Sequence, residues 1–504
     1  MDWFYTLAVY DPKNPLIFTD SLFWLLMLGV MLVYTYQYQQ IATRNLFLLG
    51  FSLFFYYKAG GYFFVLLLLS TVIDYYAGKF IAQSSHKPTR LFWLNFSLVA
   101  NLSLLGYFKY AYFFTDTFNT VAGAQFKTVN WFAQALNGLT GSSLDIYTIV
   151  LPVGISFYTF QTISYSVDVY RGDVEPARNI WDFAFFVSFF PQLIAGPIVR
   201  AADFIPQIYQ PYRLSEADYS RAIVLILGGL FKKIVISDYL AVNLIDRVFE
   251  NPERFTGFEN LLAVYGYALQ IYGDFSGYSD IAIGLALLLG FRLPDNFNAP
   301  YQASSITDFW RRWHISLSTW LRDYLYVPLG GNRHGLARTY LHLMVTMLLG
   351  GLWHGAAWRF VLWGGLHGAA LALHRFAQGS RRKAAPSGWG VLLVNRLATF
   401  HFVCFCWIFF RAKDLDQVGK ILHQILFNFR FDLLPQAWQV HQEVIWIMLL
   451  GYGLHSLPNT WSKETERFFQ IFPDWLKAVV IVLVILGLYQ ARNAALQPFI
   501  YFQF

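Results

Sequence analysis

Long apolar runs without a single charge constrain this chain more than anything else in it. Leu22 to Tyr36 (LFWLLMLGVMLVYTY), Tyr62 to Ile73 (YFFVLLLLSTVI) and Ala478 to Tyr489 (AVVIVLVILGLY) hold no Asp, Glu, Lys or Arg. With their flanks each makes a span of about 20 residues. In hydrocarbon every backbone polar group must be satisfied internally, so such spans are helices. A transmembrane barrel would show short alternating segments instead. Only 13% of the 504 residues are charged, about half the ~25% usual in soluble domains. The chain reads as an all-α polytopic membrane protein.

Apolar segments of sufficient length predict roughly ten to twelve full or partial crossings. FFVSFFPQLIAGPIV (Phe185 to Val199) carries Pro191, Gly196 and Pro197, so a broken or re-entrant helix is expected there. No fixed-period repeat or low-complexity linker interrupts the chain, and residues 1–504 read as one membrane domain. The first sixteen residues contain Asp2, Asp11, Pro12 and Lys13 rather than a basic start and an apolar core, so the first span is expected to be its own insertion signal and no cleavable signal peptide is predicted. Cys404 and Cys406 lie two apart on a predicted helix and point away from each other, which excludes a disulfide framework or a cysteine metal site. The net charge of +7 does not indicate nucleic acid, because the cations lie in short loops between spans, where they set topology.

Those loops give an orientation. Residues 79–90 hold Lys79, Lys87 and Arg90 with no acid, 311–338 hold five arginines against Asp323 alone, and 375–383 hold four cations and no acid. All three are predicted to be cytoplasmic, and counting back over the first three spans puts the N-terminus outside. The two apolar runs between Arg338 and Arg375 then form a hairpin that enters and leaves on the cytoplasmic side. His354, in MLLGGLWHGAAWRF, falls near the far end of its first arm.

Three polar features stand out in this apolar background. An imidazole titrates near pH 6.5, so neutral His354 can take a proton from a hydroxyl, as general-base acyl transfer requires. Gly350, Gly351, Gly355, Ala356 and Ala357 leave room around it for a substrate or for close helix packing, and its own residues leave packing and catalysis equally open. Second, Ser305 followed by Asp308 resembles an N-terminal cap. On the helix predicted to start there, Arg311, His314, Ser318 and Arg322 fall at steps of three, four and four to form a polar stripe. Such a helix is too polar to span and suits an interfacial or funnel-lining place, or is simply an amphipathic surface helix with snorkelling arginines. Third, Asp274, Ser276, Ser279 and Asp280 crowd the predicted beginning of an apolar helix, where they either face a cavity or partner or favour the helix dipole. Trp353, Arg311, Arg312, Ser318, Asp274 and Asp280 are therefore candidates for lining a substrate path. His367 and His374, seven apart, share a helical face and read as structural. With no H-E-x-x-H, paired Cys/His set, G-x-S-x-G elbow or P-loop, no metal site and no covalent serine chemistry are predicted on this chain.

Together DFSGYSDIAIGLALLLGFRLPDNFNAPY (Asp274 to Tyr301), ITDFWRRWHISLSTWLRDYLYVPLGGNR (Ile306 to Arg333) and GGLWHGAAW (Gly350 to Trp358) resemble the membrane-bound O-acyltransferase superfamily, in the branch of the alginate O-acetyltransferase membrane subunit. LPVGISFYTFQTISYSVDVYRG (Leu151 to Gly172) and FFPQLIAGPIVR (Phe189 to Arg200) are similar to that branch as well, so the matching core runs over about 150–375. The resemblance implies about eleven transmembrane helices with re-entrant or interfacial helices, and a central tunnel in which funnels from both sides meet near the histidine. It implies that His354 is the catalytic base and His314 the second catalytic residue, on the cytoplasmic side of the tunnel. Asp274 and Asp280 match motif positions without an assigned role, and Gly273 departs from the pattern, where a bulkier residue is expected. It further implies a bacterial cytoplasmic (inner) membrane location and no permanently bound cofactor. The acyl group, acetyl in this branch, would come from cytoplasmic acetyl-CoA or another acyl thioester and pass to an extracytoplasmic polysaccharide, alginate or another envelope glycan. A separate SGNH-type partner, whose serine lies on its own chain, would complete the transfer. The rival readings are a polytopic transporter, a non-catalytic membrane scaffold, and an acyltransferase acting on a lipid, peptidoglycan or teichoic-acid acceptor.

Overall fold

The computed structural model describes residues 7–380, 388–491 and 499–500. Every regular element among these residues is helical. Three stretches, Ile41–Gln83, Lys87–Ala122 and Trp389–Arg411, are long and apolar enough to cross a membrane by length and composition, and Ser21–Gln37 is a shorter apolar helix. Their outer faces keep large apolar side chains exposed, with Leu28 at 59%, Val99 at 63% and Val394 at 64%. Contiguous apolar surface on this scale is suited to lipid and not to water.

The helices that position the site are labelled here in chain order: α1 Phe64–Gln83, α2 Lys87–Leu105, α3 Ile155–Arg171, α4 Glu216–Phe231, α5 Gly257–Leu288, α6 Ile306–Arg312, α7 Ile315–Leu321, α8 Leu336–His354, α9 Trp358–Ser380 and α10 Trp389–Arg411. The interior divides into two aromatic-rich cores. One gathers the N-terminal helices around Phe18, Tyr158, Phe186 and Phe291 and includes Trp353. The other gathers α6, α9 and α10 around Tyr267, Trp313, Trp363 and Phe410. Helix α5 contributes to both.

The hairpin expected between Arg338 and Arg375 is present as α8 and α9. Its arms touch backbone to backbone. A Cβ on Gly351 would fall 2.2 Å from the Phe360 carbonyl oxygen, and one on Gly364 would fall 2.2 Å from that of Met347. One on Gly355 would overlap the Phe360 ring at 2.0 Å. The small residues around His354 are thus filled by protein, and of the two readings the sequence allowed, close helix packing is the one found at Gly351 and Gly355. The break expected within 185–199 is also present: Ile180–Ser188 ends at Phe189, Phe190–Leu193 makes one short turn, and the chain then runs irregularly to Arg200.

Two expectations are corrected. Asp274 and Asp280 do not begin a helix, because α5 runs unbroken for 32 residues from Gly257, closed by a capping box between Thr256 and Glu259. The apolar stretch N-terminal to Asp274 is part of the same helix, so the acids sit mid-helix, far from the favourable end of the dipole. Nor is the polar stripe continuous. Ser305 caps α6 through a bond from the Asp308 amide, but that helix stops at Arg312, Trp313 is extended, and His314 is left-handed at φ 43°. Helix α7 starts afresh at Ile315, so Arg311 and His314 do not share a helical face with Ser318 and Arg322. Of the cytoplasmic loop predicted at 375–383, Arg381, Arg382 and Lys383 lie outside the described residues, as do residues 1–6.

Candidate active site

His354 is the last residue of α8 and is 4% exposed. It stands at the seam of the two cores: its ring lies 5.0 Å from Trp353 on one side of the division and 5.0 Å from Trp363 and 5.2 Å from Phe410 on the other. His314 is fully buried, with its ring 6.1 Å from Trp353. Trp353 is therefore the common neighbour of both histidines. The buried indole N–H groups of Trp353 and Trp363 have no hydrogen-bond partner among the described residues, so both remain able to donate.

The left-handed turn at His314 is held by Asn296. The Asn296 Oδ1 accepts from the Ser316 amide at 3.2 Å and the Ser316 hydroxyl at 2.9 Å, while its Nδ2 donates to Ser279 Oγ at 3.2 Å. The amide donor fixes which end of the side chain is oxygen. The 3.1 Å contact with His314 Nδ1 is then a donation from Nδ1–H, which assigns the lone pair of the neutral ring to Nε2. Asn296 and Ser279 join α5 to the α6–α7 junction through this network. A non-glycine residue at positive φ is strained by about 1–3 kcal/mol and persists only where its surroundings impose it.

The remaining predicted residues bond elsewhere. Gly273, Gly277 and Gly284 let α5 lie directly against α4 and the π-helical turn Lys232–Asp238, with a Cβ on Gly277 falling 2.7 Å from the Gly229 carbonyl and one on Gly273 falling 3.0 Å from that of Lys232. A bulky residue at 273 would push this turn away. The close approach brings Lys233 Nζ within 2.6 Å of Asp274 and 2.8 Å of Asp238, and Lys232 Nζ within 2.5 Å of Asp280. Asp274 also accepts from the Ile500 amide at 2.8 Å. Both acids are thus in ion pairs between helices, which is how charge is carried inside a membrane protein. Arg311 is exposed, Arg312 pairs with Asp308 at 2.9 Å, and the Ser318 hydroxyl donates to the Trp313 carbonyl at 3.1 Å. These contacts secure the α6–α7 turn.

The residues that line a polar mouth were not among those predicted to line a substrate path. An open cavity of about 460 Å³ is lined by Asp168, Arg171, Arg200, Asp323, Tyr324 and Val327, among others. Arg200 and Arg322 each reach Asp323 at 2.6 Å, and the Tyr324 hydroxyl donates to Asp168 at 2.7 Å. From Tyr324 a column of rings leads inward: Tyr324 to Trp320 at 5.2 Å, Trp320 stacked on Phe160 at 3.7 Å, Phe160 to Trp353 at 5.3 Å, and Trp353 to His354. The column connects the mouth at Asp323 and Arg200 with the imidazole. Asp168 and Asn296 both lie in the quoted motifs, but nothing in their spacing marked them.

Lys109 and Tyr110 were also missed. They lie in a π-helical turn, Gly106–Tyr110, that follows α2. Lys109 Nζ donates to the carbonyls of Trp353 at 2.7 Å and His354 at 3.3 Å, and Tyr110 Oη donates to that of Leu352 at 3.0 Å. A lone lysine in the run GYFKYAYFF was the available signal. Among the described residues no three His, Cys, Asp or Glu side chains gather closely enough to hold a metal ion.

Residues 177–412 match the model of the membrane-bound O-acyltransferase family. The chain is 37% identical to a probable alginate O-acetylase of Pseudomonas putida over 97% of its own length and 100% of the relative's. It is 41% identical to a probable alginate O-acetylase of Azotobacter vinelandii over 82% of this chain and 78% of that one. A peptidoglycan O-acetyltransferase of Helicobacter pylori is 37% identical over 70% of this chain and 68% of its own.

Proposed function

This chain belongs to the membrane-bound O-acyltransferase family, a multi-pass membrane enzyme that transfers acyl groups to hydroxyls, and from that premise we propose that it passes acetyl from a cytoplasmic thioester, acetyl-CoA or a related donor, to an extracytoplasmic polysaccharide of the alginate type. The observation that carries this reading is the placement of His354 and His314 on Trp353 at the inner end of the ring column that starts at the arginine-bordered mouth. In the proposed path the donor's phosphate-bearing handle rests at Arg171 and Arg200 while its thin thioester arm follows the rings inward. His354 takes the proton of the attacking hydroxyl as the oxygen bonds to the thioester carbon. The C–S bond then breaks, and the imidazolium returns the proton to the leaving thiolate. In the same scheme the Trp353 indole N–H, which has no partner among the described residues, donates to the carbonyl oxygen as it gains charge. His314, presenting Nε2 through its bond to Asn296, is the second acid–base group. The acids Asp274 and Asp280 hold helices together in this scheme and do not handle substrate.

The same reading includes about eleven crossings in a single domain, an inner-membrane location with the N-terminus outside, and an SGNH-type partner that carries the acetyl group onward from a serine of its own. No serine-nucleophile motif lies on this chain, which agrees with such a division of labour. The identity to the H. pylori relative favours peptidoglycan as the second acceptor to examine. Cells with and without the chain distinguish the two: base-released acetate is expected to disappear from exported polysaccharide and to remain on purified peptidoglycan. Loss from peptidoglycan alone would transfer the proposal to that acceptor, and loss from neither would refute it.

A further inference from the structure

Resting on the assignment of His354 as base, we propose that Lys109, assisted by Tyr110, is a positioning residue that clamps the end of α8 and so sets the place of the imidazole. A helix leaves its last carbonyls without intrahelical partners. Here the residue after His354, Gly355, is extended at φ −164° and ψ 148°, so the chain does not close the end with the left-handed glycine turn that commonly does so. The carbonyls of Leu352, Trp353 and His354 instead receive their donors from two adjacent side chains, Tyr110 and Lys109. The third partner of Lys109 is Ser156 Oγ at 3.2 Å, in the first turn of α3, and its Nζ lies 5.8 Å from the Trp353 ring. One ammonium thereby ties α2, α3 and the histidine-bearing end of α8 together.

What separates Lys109 from an ordinary cap is its charge. Lys232 and Lys233 each face a carboxylate, whereas Lys109 has hydroxyl and carbonyl partners and no ion pair among the described residues. A neutral side-chain amide, with two N–H donors, would satisfy the same two carbonyls at far lower desolvation cost, so a cation held here without a counterion points to a use for the charge itself. Its place is the carbonyl end of α8, where the helix dipole is negative. The ammonium offsets that end beside the atoms where a thioester oxygen would gain negative charge. The π-helical turn that delivers Lys109 is a feature frequently found at functional sites.

The test uses the full-length chain at matched membrane levels in cells lacking the endogenous copy, with two readouts. Polysaccharide-bound acetate is expected to fall about 10²-fold in Lys109→Met, as for a misplaced catalytic group, to recover largely in Lys109→Arg, and to fall about fivefold in Tyr110→Phe, which loses one neutral hydrogen bond. Independently of donor and acceptor, carbethoxylation of His354 by diethyl pyrocarbonate, followed by mass spectrometry relative to exposed His401, is expected to speed up in Lys109→Met and to return toward the parental rate in Lys109→Arg. Parental acetate in Lys109→Met overturns the proposal. So does lost acetate with unchanged His354 labelling, which would place the effect elsewhere. If Lys109→Met does not accumulate, Tyr110→Phe carries the test, and parental values in both of its readouts overturn it. Retention of acetate by His354→Ala would instead refute the base assignment, while the labelling rates would still report on the clamp.

Discussion

Alanine at Gly351 is expected to disable transfer without removing any polar side chain. The Cβ would stand 2.2 Å from the Phe360 carbonyl oxygen and 3.1 Å from Gly364 Cα, where real contacts essentially never fall under 3.0 Å. Neither neighbour is the flexible end of a side chain, so the two hairpin arms must separate by about 0.8 Å in a close-packed interior. Overpacking of this kind costs about 1–3 kcal/mol. Gly351 lies three residues before His354 on the same helix, so the imidazole moves with it, and a 1 Å misplacement of a catalytic group costs about 10²-fold in rate. Gly364→Ala meets the Met347 carbonyl at the same 2.2 Å and should behave alike, whereas Gly365→Ala places its Cβ at an ordinary 3.5 Å from Leu348. Polysaccharide-bound acetate at matched membrane levels, together with the thermal midpoint in detergent, reads the effect. If Gly351→Ala matches Gly365→Ala in acetate, the hairpin contact does not set the position of His354.

Other consequences follow from the buried polar groups. Lys233→Met leaves Asp274 and Asp238 buried without their cation and is expected to destabilise the protein by about 3–5 kcal/mol, read as a lowered thermal midpoint in detergent. Asp280→Asn, at a pair whose side chains are 29% and 22% exposed, should lower it far less, and equal effects would contradict the burial argument. Asn296→Ala removes the acceptor of His314 Nδ1; an orphaned buried donor costs about 1–3 kcal/mol, or about tenfold in transfer for each 1.36 kcal/mol felt in the transition state. His314→Ala should impair acetate transfer by about 10²-fold or more, and unchanged thiol release from the donor would leave His314 a structural residue.

Much of the candidate site was legible because its residues lie in contiguous motifs. The charge-free runs fixed helices, Ser305 marked a cap, Pro191 and Gly196 marked a break, and the basic loops located the hairpin whose tip carries His354. What periodicity could not supply was where a helix pauses or continues. Nothing local distinguishes the left-handed turn at His314 from one more helical residue, because that turn is held by Asn296, 18 residues away. Asp274 looked like part of a helix start because the partner that neutralises it, Lys233, is 41 residues away in sequence and reaches it only through glycine contacts between α4 and α5. Lys109 lies 245 residues from His354, a separation that no spacing rule connects.

The proposed role of His354 is that of base in an acetyl transfer to an exported glycan. It is tested most directly by replacing His354 with alanine in the full-length chain, confirming parental membrane level and thermal midpoint, and measuring base-released acetate on the polysaccharide. A general base contributes about 10²- to 10⁴-fold, so acetate is expected to fall to the level of cells lacking the chain. Acetate near the parental level in a folded His354→Ala protein would contradict the account.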